Sequence, residues 1–550
     1  MARVLLVYAN PAITATPVSP YGAERIAHAL RIAGCEVRLV APWLEPAPRA
    51  AVARALDWKP DLVGFSIRNV DDALVVRAAT GRGDLDTAFY LPAVRPLVRL
   101  AQARGVPVLV GGAAVSSMPE AVLRYLGVRH GIAGPADDLA WRLGRALASG
   151  VPFPAALPDD PRVVDLEATR PRARGDAAAW RPVPGPTPRM AEYMRLARAR
   201  DGRVPVLVTA GCDRRCTFCV EASFLGWQVR ARPADEIVHE IGLLARAGVR
   251  RVWLAASELN VPDGRHAVAV LRAVAAAGLA VDVTGFLQPA PADDALLDAF
   301  AACGVDPAGL SWELGHLDDR LLRKGAGPAN RAAIDRLVAL YARRGHRTLG
   351  GSVLLGAHPE ETYDHVDAAL AVARELDAAL PDGLGLAWAA GGRVYPNAPL
   401  GRWVRAHLAE ARPHLYGRWT PDFVAPLVFC RPASPRALFA YVEAGLAGCR
   451  GQIRPLNAEA TGDPRVERWV NLAIVRDDPA GAVRAARAAL RLDPRHPEAL
   501  RQLALLLANR RGDAPGALDA LRRLAEVVAG DPVRAGEVAR AIAQIEAACR

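Results

Sequence analysis

Apolar residues fall along this chain in two alternating rhythms. Val4 to Tyr8, Val37 to Val40, Leu62 to Ser66, Val106 to Val110 and Ile132 to Ala133 are short, nearly unbroken hydrophobic runs. Runs of that kind belong to strands covered on both faces, as in a parallel sheet. Between them, stretches such as Ala23 to Ile32 and Leu91 to Ala103 place apolar residues at helical spacing. Five strands alternating with helices predict a doubly wound, flavodoxin-like α/β domain over residues 1–150, with ligands bound at the carboxyl ends of its strands.

From 151 to 195 the composition shifts to proline and arginine, as in VPFPAALPDDP and RPVPGPTP. An extended linker over the surface is expected there. A second alternating series follows, with strands expected at Val204 to Thr209, Arg251 to Ala255, Val281 to Phe286, Leu310 to Leu314, Thr348 to Leu355 and Leu384 to Ala389. Six such units predict a partial (β/α)6 barrel over 196–420, its functional groups on the loops after the strands. From 421 to 550 the pattern reads as helical. Leu500, Leu503, Ala504 and Leu507 recur at helical spacing, and Asp-Pro pairs stand at Asp478, Asp493 and Asp531, the last two 38 residues apart. That interval is close to the period of tetratricopeptide-type (TPR-like) hairpins, so this region is read either as a partner-binding module or as a helical cap on the barrel.

At 550 residues the chain exceeds what one hydrophobic core supports, which agrees with several domains. No apolar run reaches bilayer length, and MARVLLVYANPAI enters a strand pattern directly rather than a signal peptide, so a cytoplasmic protein is expected. The net charge of +11 comes almost wholly from arginine, Lys59 and Lys324 being the only lysines. The arginines are scattered, with no basic block interleaved with aromatics, so neither nucleic acid nor membrane is an expected partner. Eight cysteines are too few for a disulfide scaffold. Cys35, Cys303, Cys430, Cys449 and Cys549 stand alone and read as small buried hydrophobes.

The other three cysteines lie in GCDRRCTFCVEASFLGW as Cys212-x3-Cys216-x2-Cys219, directly after a strand. Thiolates so spaced can converge on one [4Fe-4S] cluster and leave one iron without a cysteine. A structural zinc site would need a fourth ligand, and no suitable Cys or His stands nearby. The spacing, with Phe218 before the third cysteine, resembles the signature of the radical S-adenosylmethionine (SAM) superfamily. SWELG around Glu313, LLGAHPEET from Leu354 to Thr362 and RVYPNAPLG from Arg393 to Gly401 resemble landmarks of the branch that carries cobalamin domains. The resemblance implies that Cys212, Cys216 and Cys219 hold the cluster and that SAM chelates its open iron. It further implies that Glu258, at the end of the second barrel strand, meets the methionyl end of SAM or the open iron itself, and that Glu313 meets the SAM ribose or a neighbouring polar group.

The first domain gains a meaning in the same way. NPAITATPVSPYGAERIA, GFSIRNVDD, VLVGGAAVSS and GIAG are similar to segments of cobalamin-binding domains attached to radical SAM barrels. The resemblance makes Asn10, Tyr21, Ser66, Arg68, Asn69, Gly111, Gly112, Ser116 and Gly134 expected cobalamin contacts. The Asp-x-His-x-x-Gly motif that supplies histidine to the lower face of cobalt is absent after the first strand. Arg68 stands at the third strand's carboxyl end, where that face should lie, and arginine offers a metal no lone pair. The alternative is that Arg68 pairs with a corrin amide or with a nearby carboxylate such as Asp71 or Asp72.

These cofactors together imply a methyltransferase that moves a methyl group from SAM via methylcobalamin to a weakly nucleophilic carbon. The pairing of Arg68 with Glu258 keeps a second version open, the non-radical methylation of an aromatic carbon in the tryptophan 2-C-methyltransferase branch. A cobalamin-dependent radical cyclase or rearrangement enzyme uses the same parts, because fold does not fix reaction. A sensor or adaptor with a decayed barrel is disfavoured by the intact cysteines. The expected partners are a small-molecule or peptide substrate and a flavodoxin- or ferredoxin-type reductant.

Overall fold

The computed structural model describes residues 1–15, 17–72, 87–168, 183–455 and 463–549. Its first sheet contains β1 (Arg3–Tyr8), β2 (Glu36–Val40), β3 (Leu62–Ser66), β4 (Val108–Gly111), β5 (His130–Ile132) and β6 (Val163–Asp165), in the order β2-β1-β3-β4-β5-β6. The first five strands are parallel. Strand periodicity sends Val4, Leu6, Leu62 and Leu109 to one face, where Leu30, Leu139 and Leu143 of helices Tyr21–Ile32 and Asp137–Ala148 cover them. Leu5, Val7, Val63, Phe65 and Val110 face the opposite core with Val52, Leu97 and Val98. β4 starts later than its apolar run because Pro107 has no N–H to donate to a central ladder. β6 lies inside the stretch expected as an extended linker. It pairs antiparallel with β5, and Arg162 before it is buried and bonded to Asp138 and Asp160.

The barrel begins with β7 (Arg203–Leu207), followed by a hairpin of β8 (Thr209–Ala210) and β9 (Arg230–Ala231). Then come β10 (Arg251–Ala255), β11 (Asp282–Thr284), β12 (Ser311–Gly315), β13 (Leu349–Leu355) and β14 (Leu384–Ala390). The orders are β11-β10-β7 and β12-β13-β14, and a parallel bridge from Leu287 to Trp312 joins the two runs into one open barrel wall. Val206, Val252, Leu254, Val283 and Trp312 are fully buried in its core.

The chain beyond the barrel is less purely helical than its sequence pattern. β15 (Gly392–Arg393), β16 (Leu415–Gly417) and β17 (Leu427–Phe429) form a small antiparallel sheet, and β18 (Ile453–Pro455) adds to β14 in parallel. Among the described residues the purely helical part begins at Pro464. Two of the three Asp-Pro pairs, at Asp478 and Asp531, have a local cause there, while Asp493 closes the helix Pro479–Leu492. Asp463, Asp478 and Asp531 are N-caps that accept backbone N–H groups, with proline at the first helical position. Val470, Ala486 and Leu500 of these helices share a core with Tyr8, Tyr193 and Leu196, so they pack beside the first domain.

Candidate functional site at the domain junction

The cysteine loop leaves β8 through Gly211, whose φ is +100°, and a Cβ there would meet Gln228 O at 2.2 Å. Only glycine fits so tight a hairpin neck. Backbone bonds then pin the loop from three directions. Cys212 N donates to Gly226 O (3.1 Å), Thr217 N to Gly325 O (2.7 Å) and Leu400 N to Thr217 O (2.8 Å). Phe218 is half-buried beside Gly392, where an added Cβ would lie 3.5 Å from its own. Burial raises the Cys212 thiol to about 11 and the Cys216 thiol to about 12, and Cys216 also feels Cys212 and Glu258. Burial raises Cys219 well above the ordinary thiol value as well. Among the described residues no three His, Cys, Asp or Glu side chains converge closely enough to hold a single metal ion. The three thiols act on one another electrostatically, and a cluster held by all three would stabilise the thiolates through its charge.

Glu258 follows β10, and its Oε2 is buried without a hydrogen-bond partner. Burial and the charges of Glu313 and Glu221 push its carboxyl up to about 9 against the lowering effect of Arg214. Glu313 on β12 accepts a hydrogen bond from the Ser352 hydroxyl and is itself raised by burial. Gln288, following β11, is fully buried with neither side-chain polar atom bonded. Asn260 holds its backbone, donating to Gln288 O (2.8 Å) and accepting from Gln288 N (3.1 Å). The Thr209 hydroxyl is also without a partner. Unsatisfied buried polar groups are costly in a native fold, and several of them at the carboxyl ends of barrel strands mark a place for a polar ligand. An amide, a hydroxyl and a carboxylate suit the amino, carboxylate and ribose groups of SAM.

A cavity of about 410 Å³ lies between the barrel and the first domain. From the first domain it is lined by Tyr21, Ser66, Gly111, Gly112, Ser116 and Gly134, and from the barrel side by Thr209, Glu221, Phe224 and Ala255 to Ser257. Six of the nine residues expected to meet cobalamin thus surround one space. Gly112 has φ +100° and a Cβ would stand 2.4 Å from Ile67 O; Gly134 has φ +96° and a Cβ would stand 2.9 Å from Phe224 O. The Ser116 hydroxyl donates to Gly112 O (3.0 Å) and accepts from Gly134 N (2.8 Å), fastening these two turns together. Desolvation by the surrounding protein raises the Glu221 carboxyl against a lowering contact with Ser257, and the residue lines the cavity.

Asn10, Arg68 and Asn69 lie outside the lining, beyond the carboxyl ends of β1 and β3. Asn10 donates to Tyr8 Oη (3.2 Å) and keeps a buried, unbonded Oδ1. Arg68 is exposed and makes no ion pair among the described residues. The pairing with Asp71 or Asp72 is not formed. Asp71 binds Arg393 at 2.9 Å and Asp72 accepts from Ala88 N.

The sequence missed the groups that fasten the two domains. Tyr21 Oη accepts from Leu207 N (3.1 Å) and from Arg232 (3.3 Å), and donates to Glu240 (3.4 Å). Arg189 binds Glu24 (3.1 Å) and Glu240 (2.6 Å) and lies 4.1 Å over the Tyr21 ring. Tyr21 is thus a domain fastener as well as a lining residue. Arg393 joins the first domain to the small sheet through Asp71 and Phe423 O. Glu221 carried a legible signal, standing two positions after Cys219, whereas the Arg189 network carried none.

The comparisons agree with this geometry. The Radical SAM superfamily model matches residues 206–373 and the B12 binding domain model matches residues 13–142. The chain is 26% identical over 441 residues to tryptophan 2-C-methyltransferase of Streptomyces laurentii, covering 67% of this chain and 70% of that protein. It is 31% identical over 291 residues to the ribosomal protein uS12 methylthiotransferase RimO of Acidothermus cellulolyticus, spanning 56% of that relative. Among solved structures, the fold is similar to the radical SAM methyltransferase TsrM of Kitasatospora setae with cobalamin and [4Fe-4S] cluster bound, with TM-score 0.66, 21% identity, and 89% of this chain and 100% of that chain covered. It is similar also to the cobalamin-dependent SAM radical enzyme OxsB, with TM-score 0.60, 12% identity, and 98% and 80% covered. With a B12-binding domain and a radical SAM barrel meeting at one cavity, the chain belongs to the cobalamin-dependent radical SAM enzymes.

Proposed function

We propose that this enzyme transfers a methyl group from SAM, by way of cobalamin, to a weakly nucleophilic carbon of a small-molecule or peptide substrate. The observation that carries the reading is the single cavity lined both by Ser66, Gly111 and Gly112 of the cobalamin domain and by Glu221 and Ser257 beside the cysteine loop. When bound, the cluster, SAM and cobalamin supply the redox and methyl-transfer chemistry. The chain's own residues hold and orient these groups. Cys212, Cys216 and Cys219 ligate the cluster, while Gln288, Thr209 and Glu313 offer SAM its polar contacts. Gly112 and Gly134 let backbone approach the corrin, and the packed domain junction limits water. A reducing, cytoplasmic setting would keep these three thiols free to take up the cluster, and a flavodoxin- or ferredoxin-type reductant would supply the electrons that the cluster's chemistry requires.

Among the described residues Glu258 Oε2 is unbonded and Arg68 unpaired, and these two features favour one second reading, a polar methyl transfer. Glu258 would then sit on the open iron in place of SAM chelation, and Arg68 would leave the lower face of cobalt without a donor. Anaerobic reconstitution with iron, sulfide and cobalamin, followed by labelled SAM and a strong reductant, separates the readings. Methylated cobalamin with S-adenosylhomocysteine and 5′-deoxyadenosine supports the radical methyltransferase. The first two without 5′-deoxyadenosine support the polar version. Deoxyadenosine with no methylation of cobalt refutes methyl transfer and leaves a cyclase or rearrangement enzyme.

A further inference from the structure

The helices after Pro464 carry an open groove of about 400 Å³ that shares no lining residue with the cavity at the domain junction. Helix Pro479–Leu492, the turn Leu507–Arg511 and helix Ala514–Val527 surround it. Its floor is Leu490, Leu503 and Leu507, and its rim is cationic. The period of the helix sets Arg487 and Arg491 one turn apart on one wall, and Arg523 stands on the other. Asp519 is the one carboxylate among the described lining residues, and Arg523 lies 4.0 Å from it.

Ala482, Ala486 and Ala489 pack helix Pro479–Leu492 into its core, so the fold does not depend on these arginines. Arg487 and Arg491 are exposed and make no ion pair among the described residues. Like charges one turn apart weaken a helix slightly. Arg491, in the last turn, is compensated by the helix dipole, whereas Arg487 is not. The π turn over Leu507–Arg511 is a second irregularity at the same place. Such turns are rare and recur at functional sites, and this one contributes Leu507 to the floor.

A guanidinium fork takes a carboxylate in two parallel hydrogen bonds, and leucines set between such forks take apolar side chains. No aromatic ring lines the groove among the described residues, so the bases of a nucleic acid would have nothing to stack on. We infer that the groove docks an acidic peptide segment of a partner protein, its carboxylates paired with Arg487, Arg491 and Arg523 and its apolar side chains on Leu490, Leu503 and Leu507.

The test is fluorescence anisotropy of the full-length protein with a labelled synthetic peptide in which pairs of leucines alternate with pairs of glutamates. The same peptide with lysine for glutamate, a labelled DNA duplex and labelled decanoate serve as the other probes. Two double variants are compared with the wild type, Arg487→Glu with Arg491→Glu and Arg487→Gln with Arg491→Gln. Both positions are exposed, so both variants should keep the wild-type melting temperature. The glutamate peptide should bind at least about tenfold more tightly than the lysine peptide and weaken as salt rises. The glutamine pair should lose about tenfold and the glutamate pair more, because it adds repulsion. Absence of binding by the glutamate peptide overturns the inference, as does equal binding of the two peptides or binding unchanged in both variants. Tighter binding of the duplex or of decanoate overturns it in favour of a nucleic acid or a lipid.

Discussion

Replacing Arg189 by methionine should loosen the junction that holds the cobalamin domain over the barrel. Arg189 is 7% exposed and binds Glu24 and Glu240, which are 1% and 2% exposed, while Arg232 is the second cation on Glu240. Without Arg189 the group has two buried carboxylates and one cation, and breaking a buried pair in this way costs about 3–5 kcal/mol. At roughly 2–4 °C per kcal/mol, the first thermal transition should fall by about 10 °C at neutral pH. The pH dependence has a defined sign. Burial already raises the folded carboxyl of Glu24 although Arg189 lowers it, and the variant removes that lowering influence. A carboxyl whose folded pKa lies above its unfolded value weakens the fold as pH rises from the unfolded toward the folded pKa. The deficit of Arg189→Met should therefore be small in acid and grow toward neutrality. Adding Glu24→Gln restores the charge balance and should recover most of the loss. Differential scanning calorimetry of the apoprotein at acidic and neutral pH checks this. A neutral-pH shift under about 2 °C, or a deficit that grows on acidification, refutes the reasoning.

Cys216→Ala should abolish 5′-deoxyadenosine formation and lower bound iron severalfold after reconstitution, while leaving the cobalamin spectrum of the protein intact. Gly112→Ala places a Cβ 2.4 Å from Ile67 O at φ +100°, so it should destabilise the first domain by about 1–3 kcal/mol and weaken cobalamin binding at least tenfold by titration. Arg68→His should leave the melting temperature unchanged, since Arg68 is exposed and unpaired among the described residues, yet introduce nitrogen splitting from cobalt in the Co(II) resonance spectrum. Burial raises the Glu467 carboxyl, but the His496 hydrogen bond and the Arg200 charge outweigh it and hold it below its ordinary value; its stabilisation is present above the unfolded pKa and lost as pH falls through the folded one. Glu467→Gln should accordingly melt below the wild type near neutrality and converge with it in acid.

Much of the fold was legible because strand runs and helix stripes are local signals. β3, β10 and the helix Leu91–Ala103 begin and end where the apolar pattern does. The cysteine loop was legible for a similar reason, as three cysteines within eight residues need no long-range information. β6, β16, β17 and β18 were not, because three residues are too few to establish a period of two, and β6 stands among prolines and arginines that read as linker. The cavity's cobalamin side was read through resemblance. The partners of Arg25, Arg189 and Arg393 lie 112, 165 and 322 residues away, and a scattered arginine looks alike in sequence whether it is solvated or buried.

The helices after Pro464 show the same limit and what resolves it. From sequence their Asp-Pro rhythm allowed either a repeat module or a cap; Asp478 and Asp531 stand there as N-caps, whereas Asp493 closes the helix Pro479–Leu492 and the next helix is capped by His496. Their contacts are more informative. Asn471 donates to Thr14 O (2.9 Å), and Arg200, which Glu467 pairs, donates to Ala15 O (2.7 Å). Arg468 reaches Pro46 O (2.7 Å). The loop after β1 is one whose sequence resembles a corrin-binding segment, and its carbonyls are held by side chains about 185 and 457 residues further along the chain. A loop fixed from outside its own domain keeps its shape only while that outside element is folded. The helices are therefore part of the framework of the cobalamin domain, whatever else their exposed faces bind.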